Sequence, residues 1–391
     1  MDQVKYTTFL WDVFICSLGA YGGPEAHYGV FSDQMVTKKG YITEEELTEL
    51  IALTGILPGP SSTQSIIAMG YKVGGVPLTL LTMVVWSFPV LVVMTALSFM
   101  GQLAQEFNFS PNIFRYVGPM AVGFILVAIR NIGRKVIKDP VMLGLFIFGA
   151  VVTYFYKQSW VLLLVLIFGG VVANLVSKET HKFNKIQVNP PWKYLILFLV
   201  FAVGLVIANK VFDNCILQLF ESFYRYGYMV IGGGQVVVPL MHNDLVEVHH
   251  YMTDQDFLTG FGIVQGMPGP MFSFSAYAGG MASRDLGILG QLIGALVSGL
   301  GIFLPGILLI FFVYPIWEDL KQMRAIKISI GGIAPVACSL ILASAISMIQ
   351  RAGFAWDNLL VLVITTAVLL TKKVPAPIIV LITILCGIFF K

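Results

Sequence analysis

Two short stretches hold the residues best placed to do chemistry. In the first, Pro58-Gly59-Pro60 is followed by Ser61-Ser62-Thr63-Gln64-Ser65; in the second, Pro268-Gly269-Pro270 is followed by Met271-Phe272-Ser273-Phe274-Ser275. A proline inside a helix removes a donor and clashes with the preceding turn, at about 3 kcal/mol. Each stretch is therefore expected to be two short helices meeting at a bend. Pro60 and Pro270 suit the first turn of the helix that follows. The hydroxyls then stand beside unpaired N–H groups at its positive end, an arrangement that binds anions. The plainer alternative is a kinked, packed helix whose Ser and Thr hydroxyls bond back to the freed carbonyls.

Glycine clusters precede both breaks by some 36 residues: Gly22-Gly23-Pro24-Glu25-Ala26-His27 and Gly232-Gly233-Gly234-Gln235. They either let helices pack closely or expose backbone that faces the Pro-Gly-Pro ends and completes a cradle for a tetrahedral oxyanion. No strand precedes either cluster, no GK[ST] follows, and no acid lies at a ribose distance, so neither is a nucleotide loop. Glu25 and His27 sit in an apolar run, where ionisable groups are functional candidates. Together they could bind a coupling proton, or they lie at a water-exposed mouth near Asp33, Lys38 and Lys39. Gln64, Gln235 and Gln265 could donate to an anion or tie helices together. Lys72 and Arg284, just past the two bends, could attract anions or anchor at the interface. The run from His242 to His250 gathers metal-type ligands without HExxH spacing, and its counterpart, Ser32 to Gly40, keeps none of the histidines. It is expected to be a solvated loop, not a metal site. No cofactor motif stands out.

The elements that position these residues are apolar. Of 391 residues, 57% are hydrophobic and 12% charged, against roughly 25% charged in soluble domains. The chain is expected to lie in a bilayer, with room for about ten to thirteen crossings of about 20 residues each. Little remains for a soluble catalytic domain, and a net charge of +3 is too small to imply nucleic acid. Met1 to Lys5 offer no basic n-region with a small-residue cleavage site, so the first apolar segment, from Phe9, is expected to stay in the mature protein. Cys16, Cys215, Cys338 and Cys386 show no metal or redox spacing and are expected to be buried free thiols.

The apolar segments fall into six, one, and six. A polar connector from Lys178 to Lys193 separates the sets, giving a first repeat (1–177), a connector with a linking helix (178–213) and a second repeat (214–391). Laying Tyr21–Pro60 on Ile231–Pro270, an offset of 210, matches eight of forty columns, where chance gives about three. Beyond that block an offset of 216 sets Pro89 on Pro305 and Pro119 on Pro335. Arg130, Arg134, Lys135 and Lys138 mark one inside loop and the 178–193 connector another. In the second half the bias reverses at equivalent positions, with Lys321, Arg324, Lys327, Lys372 and Lys373 inside. The expected fold is an all-α polytopic membrane protein of two inverted repeats, each of about six helical segments with broken or re-entrant helices at Pro-Gly-Pro. That architecture recurs among secondary transporters, whose site lies near the midplane.

These residues resemble the chromate ion transporter family. Tyr21 to His27 are similar to its Phe-Gly-Gly-Pro-x-Ala-His motif, and Leu57-Pro58-Gly59-Pro60 to its Pro-Gly-Pro motif. The second half repeats both, as Ile231 to Pro239 and Met267 to Pro270. Because the likeness spans both halves, it is to the long, two-domain members. The resemblance implies a secondary transporter, not an enzyme, that moves chromate outward across the cytoplasmic membrane, with sulfate as a competing analogue. Tyr21 and Ile231 stand where that family usually has Phe, Tyr41 and Tyr251 where Trp is frequent, and Gln235 where His is common. Anion binding is expected at the two glycine clusters and the two Pro-Gly-Pro segments with their hydroxyls and Gln64, and coupling at Glu25 and His27. Expected partners are the oxyanion and membrane lipid, with a homodimer as a further possibility. Competing readings are a transporter of a different small anion, a lipid-headgroup scramblase, whose polar path broken helices could also open, and an intramembrane phosphotransfer enzyme, which no motif requires.

Overall fold

The computed structural model describes residues 5–21, 23–100, 114–156, 159–177, 189–230, 237–317, 324–352 and 355–389. Among these residues the chain is helical, with no strand. The glycine cluster at 232–234 with Gln235, Gly22, and most of the 178–193 connector lie outside this set.

The first half opens with four short helical arms. Helix α1 (Tyr6–Gly19) runs to a break at Ala20–Gly23, and α2 (Pro24–Phe31) continues into a π-helical turn, Ser32–Lys38. Helix α3 (Glu44–Ile56) starts from a capping box: Thr43 Oγ1 accepts from Glu46 N at 3.2 Å, and Thr43 N donates to Glu46 Oε2 at 2.9 Å. This reciprocal cap satisfies two otherwise unpaired donors. Leu57, forced into extended backbone by the proline after it, ends α3 at φ −73°, ψ 143°.

Helix α4 (Ser61–Ser98) is continuous only in name, because Gly74 and Gly75 take non-helical angles and reverse the chain. The indole N–H of Trp86 donates to Thr63 Oγ1 at 3.1 Å, which 23 residues of straight helix, about 35 Å long, would forbid. Residues 61–73 therefore form one arm and 76–98 the return arm. The first arm also pairs with α3: Thr54 and Ser65 hydroxyls meet at 2.9 Å, and Lys72 pairs with Glu46 at the far end. So α3 and 61–73 form a hairpin whose tip is Pro58-Gly59-Pro60.

The second half repeats this plan. It comprises α9 (Cys215–Met229), α10 (Val238–His242) with the π turn Asn243–Val248, and α11 (Asp254–Gln265), capped by the Thr253–Asp256 box. A 3₁₀ turn, Met271–Ser273, then leads into α12 (Phe274–Ala282) and α13 (Gly287–Val313). Tyr277 OH donates to Asp256 O at 3.0 Å, closing the second hairpin.

The two long arms run in opposite directions. At the end of 76–98, Ser98 O accepts from Gln291 Nε2, near the start of α13, at 2.9 Å. At the end of α13, Phe311 and Tyr314 lie 5.8 and 5.4 Å from the Tyr71 ring, where 76–98 begins.

Around this centre stand α5 (Val117–Val136), α6 (Pro140–Phe155), α7 (Ser159–Val176), α14 (Arg324–Ala352), α15 (Trp356–Thr371) and α16 (Ala376–Phe389). Helix α14 packs against α5, α6 and α7, so the halves interlock. It approaches α7 so closely that a Cβ on Gly332 would lie 2.1 Å from Gly169 O, the small-residue contact favoured between helices in lipid. Helix α8 (Trp192–Val211) links the halves and buries only Leu205 among its described side chains.

The apolar segments are of unequal length. Among the described residues, four helical stretches are long and apolar enough to span a bilayer: Ser61–Ser98, Val117–Val136, Trp192–Val211 and Arg284–Ile316. Many of the other apolar segments are arms of 8 to 15 residues, short of the roughly 20 a crossing requires. The cysteine expectation is corrected: Cys16 and Cys338 are buried, but Cys215 and Cys386 are half-buried.

Candidate functional site

Each Pro-Gly-Pro tip is held by the other half. Gly59 N donates to Val230 O at 2.7 Å, and Gly269 N donates to Ala20 O at 2.8 Å. Under the offset of 210 these are the same bond made twice: residue 59 maps to 269 and residue 20 to 230. Reciprocal contacts of this kind are the signature of a two-fold relation. Both glycines are required. Their φ angles are 131° and 100°, in the left-handed region that side chains avoid.

Pro60 and Pro270 stand at the N-cap, one place earlier than the sequence suggests, so the helices proper start at Ser61 and, through the 3₁₀ turn, at Met271. No side chain caps either start. The adjoining N–H groups thus lack the usual cap partner at the positive ends of these segments.

In the first half the hydroxyls of Ser62, Thr63 and Ser65, beside the tip, are engaged within the protein. His27, 2% exposed, places Nδ1 at 2.9 Å from Ser62 Oγ, which removes it from a water-exposed mouth. Trp86 packs edge-on against both His27 and Phe31, donates to Thr63, and accepts at its carbonyl from Ser17 Oγ at 2.8 Å. Ser65 Oγ bonds Thr54 and also Ser61 O. Glu25 lies on α2, with its side chain outside the described set. Gln64 Nε2 donates to Pro58 O at 2.9 Å and faces Gly306 O on α13 at 3.5 Å, as the alternative of tying helices together expects. Its unpartnered atom is the acceptor, Oε1.

In the second half, Ser273 Oγ, Ser275 Oγ and Gln265 Nε2 are buried and have no hydrogen-bond partner. An unsatisfied buried polar group costs about 1–3 kcal/mol, so three at one tip are a marked feature.

Two charged clusters at the π turns were not singled out by sequence reasoning. In the first half, Asp12 is fully buried and accepts from Gln34 Nε2 at 2.8 Å and Tyr41 OH at 2.6 Å, with Lys39 Nζ at 3.2 Å. In the second, Asp244 accepts from Arg225 Nη2 and Tyr226 OH, both at 3.1 Å, and Arg225 Nε also meets Glu221 at 3.0 Å. The acid has changed sides between the halves: Asp12 and Gln34 map to Ser222 and Asp244. An acid or arginine inside an apolar run was the available signal.

The segment from His242 is likewise not a solvated loop throughout. His242, Asp244, Leu245 and Val246 are buried, and His242 Nε2 lies 2.8 Å from Asp254 Oδ1. Lys72, tied to Glu46, sits at the base of its hairpin, away from the tip. Arg284 is exposed.

The chain is 22% identical over 381 residues to a probable chromate transport protein of Synechococcus elongatus, covering 96% of this chain and 94% of that protein. It is 25% identical over 337 residues to a chromate transport protein of Pseudomonas aeruginosa, covering 85% and 78% respectively. An uncharacterized transporter of Bacillus subtilis, YwrB, is 26% identical over 172 residues, which are 43% of this chain but 84% of that shorter protein. No solved structure matches. The chromate transporter family model matches twice, over residues 7–175 and 217–389. With both copies of the short-helix hairpins inside those two matches, the chain belongs to the chromate transporter family.

Proposed function

We propose that this multi-pass membrane protein is a secondary transporter of a tetrahedral oxyanion, chromate or its analogue sulfate, and that it carries chromate outward across the cytoplasmic membrane. The observation that carries this reading is the pair of uncapped helix starts at Pro-Gly-Pro tips, each tip bonded to the end of the other half's first helix. A doubly negative ion there is attracted by two sets of N–H groups and by two helix dipoles.

The halves are taken to lie inverted in the bilayer, with α3 and α11 and their partner arms as re-entrant hairpins entering from opposite faces. The antiparallel course of 76–98 and α13 supports this, as does the loop charge bias. Such discontinuous helices at a midplane site suit alternating access. The sequence's two glycine clusters are proposed to add backbone donors to that site. Glu25 or His27 handles the coupling proton, His27 lying one hydrogen bond from Ser62.

Uptake of labelled chromate and sulfate into proteoliposomes tests the proposal. Flux above empty vesicles that responds to an imposed pH gradient is expected. No flux with either anion, with or without the gradient, sinks it.

A further inference from the structure

We infer that the anion is held unequally: its buried side-chain donors come from the second hairpin, through Ser273, Ser275 and Gln265, whereas the first hairpin's buried hydroxyls, on Ser62, Thr63 and Ser65, serve the protein's own framework. This rests on the transporter reading above and adds which half recognises the ion.

The two hairpins share a backbone but have lost partners selectively. Ser273 is the counterpart of Thr63, whose hydroxyl accepts from Trp86; the offset of 216 puts Ile302 in place of Trp86, so Ser273 has nothing to bond. Ser275 is the counterpart of Ser65, which bonds Thr54; Val264 replaces Thr54, and Ser275 is orphaned in turn. The pair formed by His27 and Ser62 becomes Val237 and Phe272. The second half has therefore exchanged every one of these partners for an apolar side chain while keeping two hydroxyls that are fully buried. Hydroxyls retained without protein partners in so apolar a setting fit a ligand that supplies the missing acceptors.

The chemistry of the orphaned atoms points the same way. The first tip's free atom, Gln64 Oε1, is an acceptor. Turning that amide over would set its oxygen against the carbonyls of Pro58 and Gly306, so the orientation is fixed by its neighbours. An amide oxygen repels an oxyanion. The second tip's free groups, two hydroxyls and the Gln265 amide N–H, are donors, as an oxyanion requires.

Paired variants of the full-length protein test the asymmetry, by chromate binding in nanodiscs and flux in proteoliposomes. Ser273→Ala and Gln265→Leu are each expected to weaken chromate binding and raise KM about tenfold, which is about 1.4 kcal/mol. Their melting temperature without anion stays level or rises, since an unsatisfied group has been removed. Thr63→Val is expected to lower the melting temperature and to weaken binding less than Ser273→Ala. Ser273→Thr keeps the donor and restores affinity. Should Ser273→Ala lower the melting temperature with chromate affinity unchanged, or should Thr63→Val and Ser273→Ala weaken chromate equally, the inference is overturned while transport stands. Absence of wild-type flux instead removes the transporter reading on which it rests.

Discussion

The two halves of this protein agree in their main chain and disagree in their polar side chains. Both build a hairpin from a Thr-capped helix, a Pro-Gly-Pro tip and a short return arm, and each tip donates to the other half's first helix end. Yet the first hairpin closes its polar groups into bonds with His27, Trp86 and Thr54, while the second leaves three donors unmatched. On the proposed reading, the duplicated geometry sets where the anion sits, and the divergence of side chains sets what each half contributes.

The comparison breaks most visibly at the tips. Gly59→Leu and Gly269→Leu force a side chain into left-handed backbone, at about 1–2 kcal/mol before any clash. A Cβ on Gly59 would also lie 2.6 Å from Gln64 Nε2. Chromate flux in proteoliposomes is expected to be lost in both variants, and wild-type flux in either one would show that the two tips are not equivalent. Next in size come the charged clusters. Arg225→Leu strands the Asp244 and Glu221 carboxylates and is expected to destabilise by about 3 kcal/mol, read as a fall in melting temperature. Lys39→Leu, at a cation 37% exposed, is expected to cost under about 1 kcal/mol.

The helices and both breaks were legible in the sequence because proline, glycine and long apolar runs act locally. The Thr43 and Thr253 matches found by self-comparison turned out to be capping boxes, and the Pro-Gly-Pro segments are the hairpin tips. What stayed hidden is what joins distant residues. Gly59 to Val230 and Gly269 to Ala20 are main-chain bonds and leave no mark on residue type. Asp12 passed unnoticed within an apolar run, since its partners Gln34, Lys39 and Tyr41 lie 22 to 29 residues away and only the π turn gathers them. Half-length arms also look like full spans when only hydropathy is read.

A smaller change sharpens the comparison from the other direction. Val264→Thr returns to the second hairpin the partner that Thr54 offers Ser65. It is expected to stabilise the protein by about 1 kcal/mol and to weaken chromate binding, measured by thermal unfolding and by titration in nanodiscs. Smallest is the base of the first hairpin, where the bond from Lys72 holds the Glu46 carboxyl below its ordinary value of 4.5. The ionised form is the stabilised one, so the gain is present above that value and is lost as pH falls through the lowered one. Glu46→Gln is expected to cost under about 0.5 kcal/mol at pH 7, with the difference from wild type vanishing in acid. A difference that grew in acid would contradict the pairing.

The crossed bonds that hold the tips carry one more consequence. Both donors and both acceptors are peptide groups, so no substitution other than proline at a donor position deletes them. A gene that has doubled can then let one copy drift toward structural support and the other toward recognition while the two remain in register. Here the peptide latch is what made such a division of labour safe.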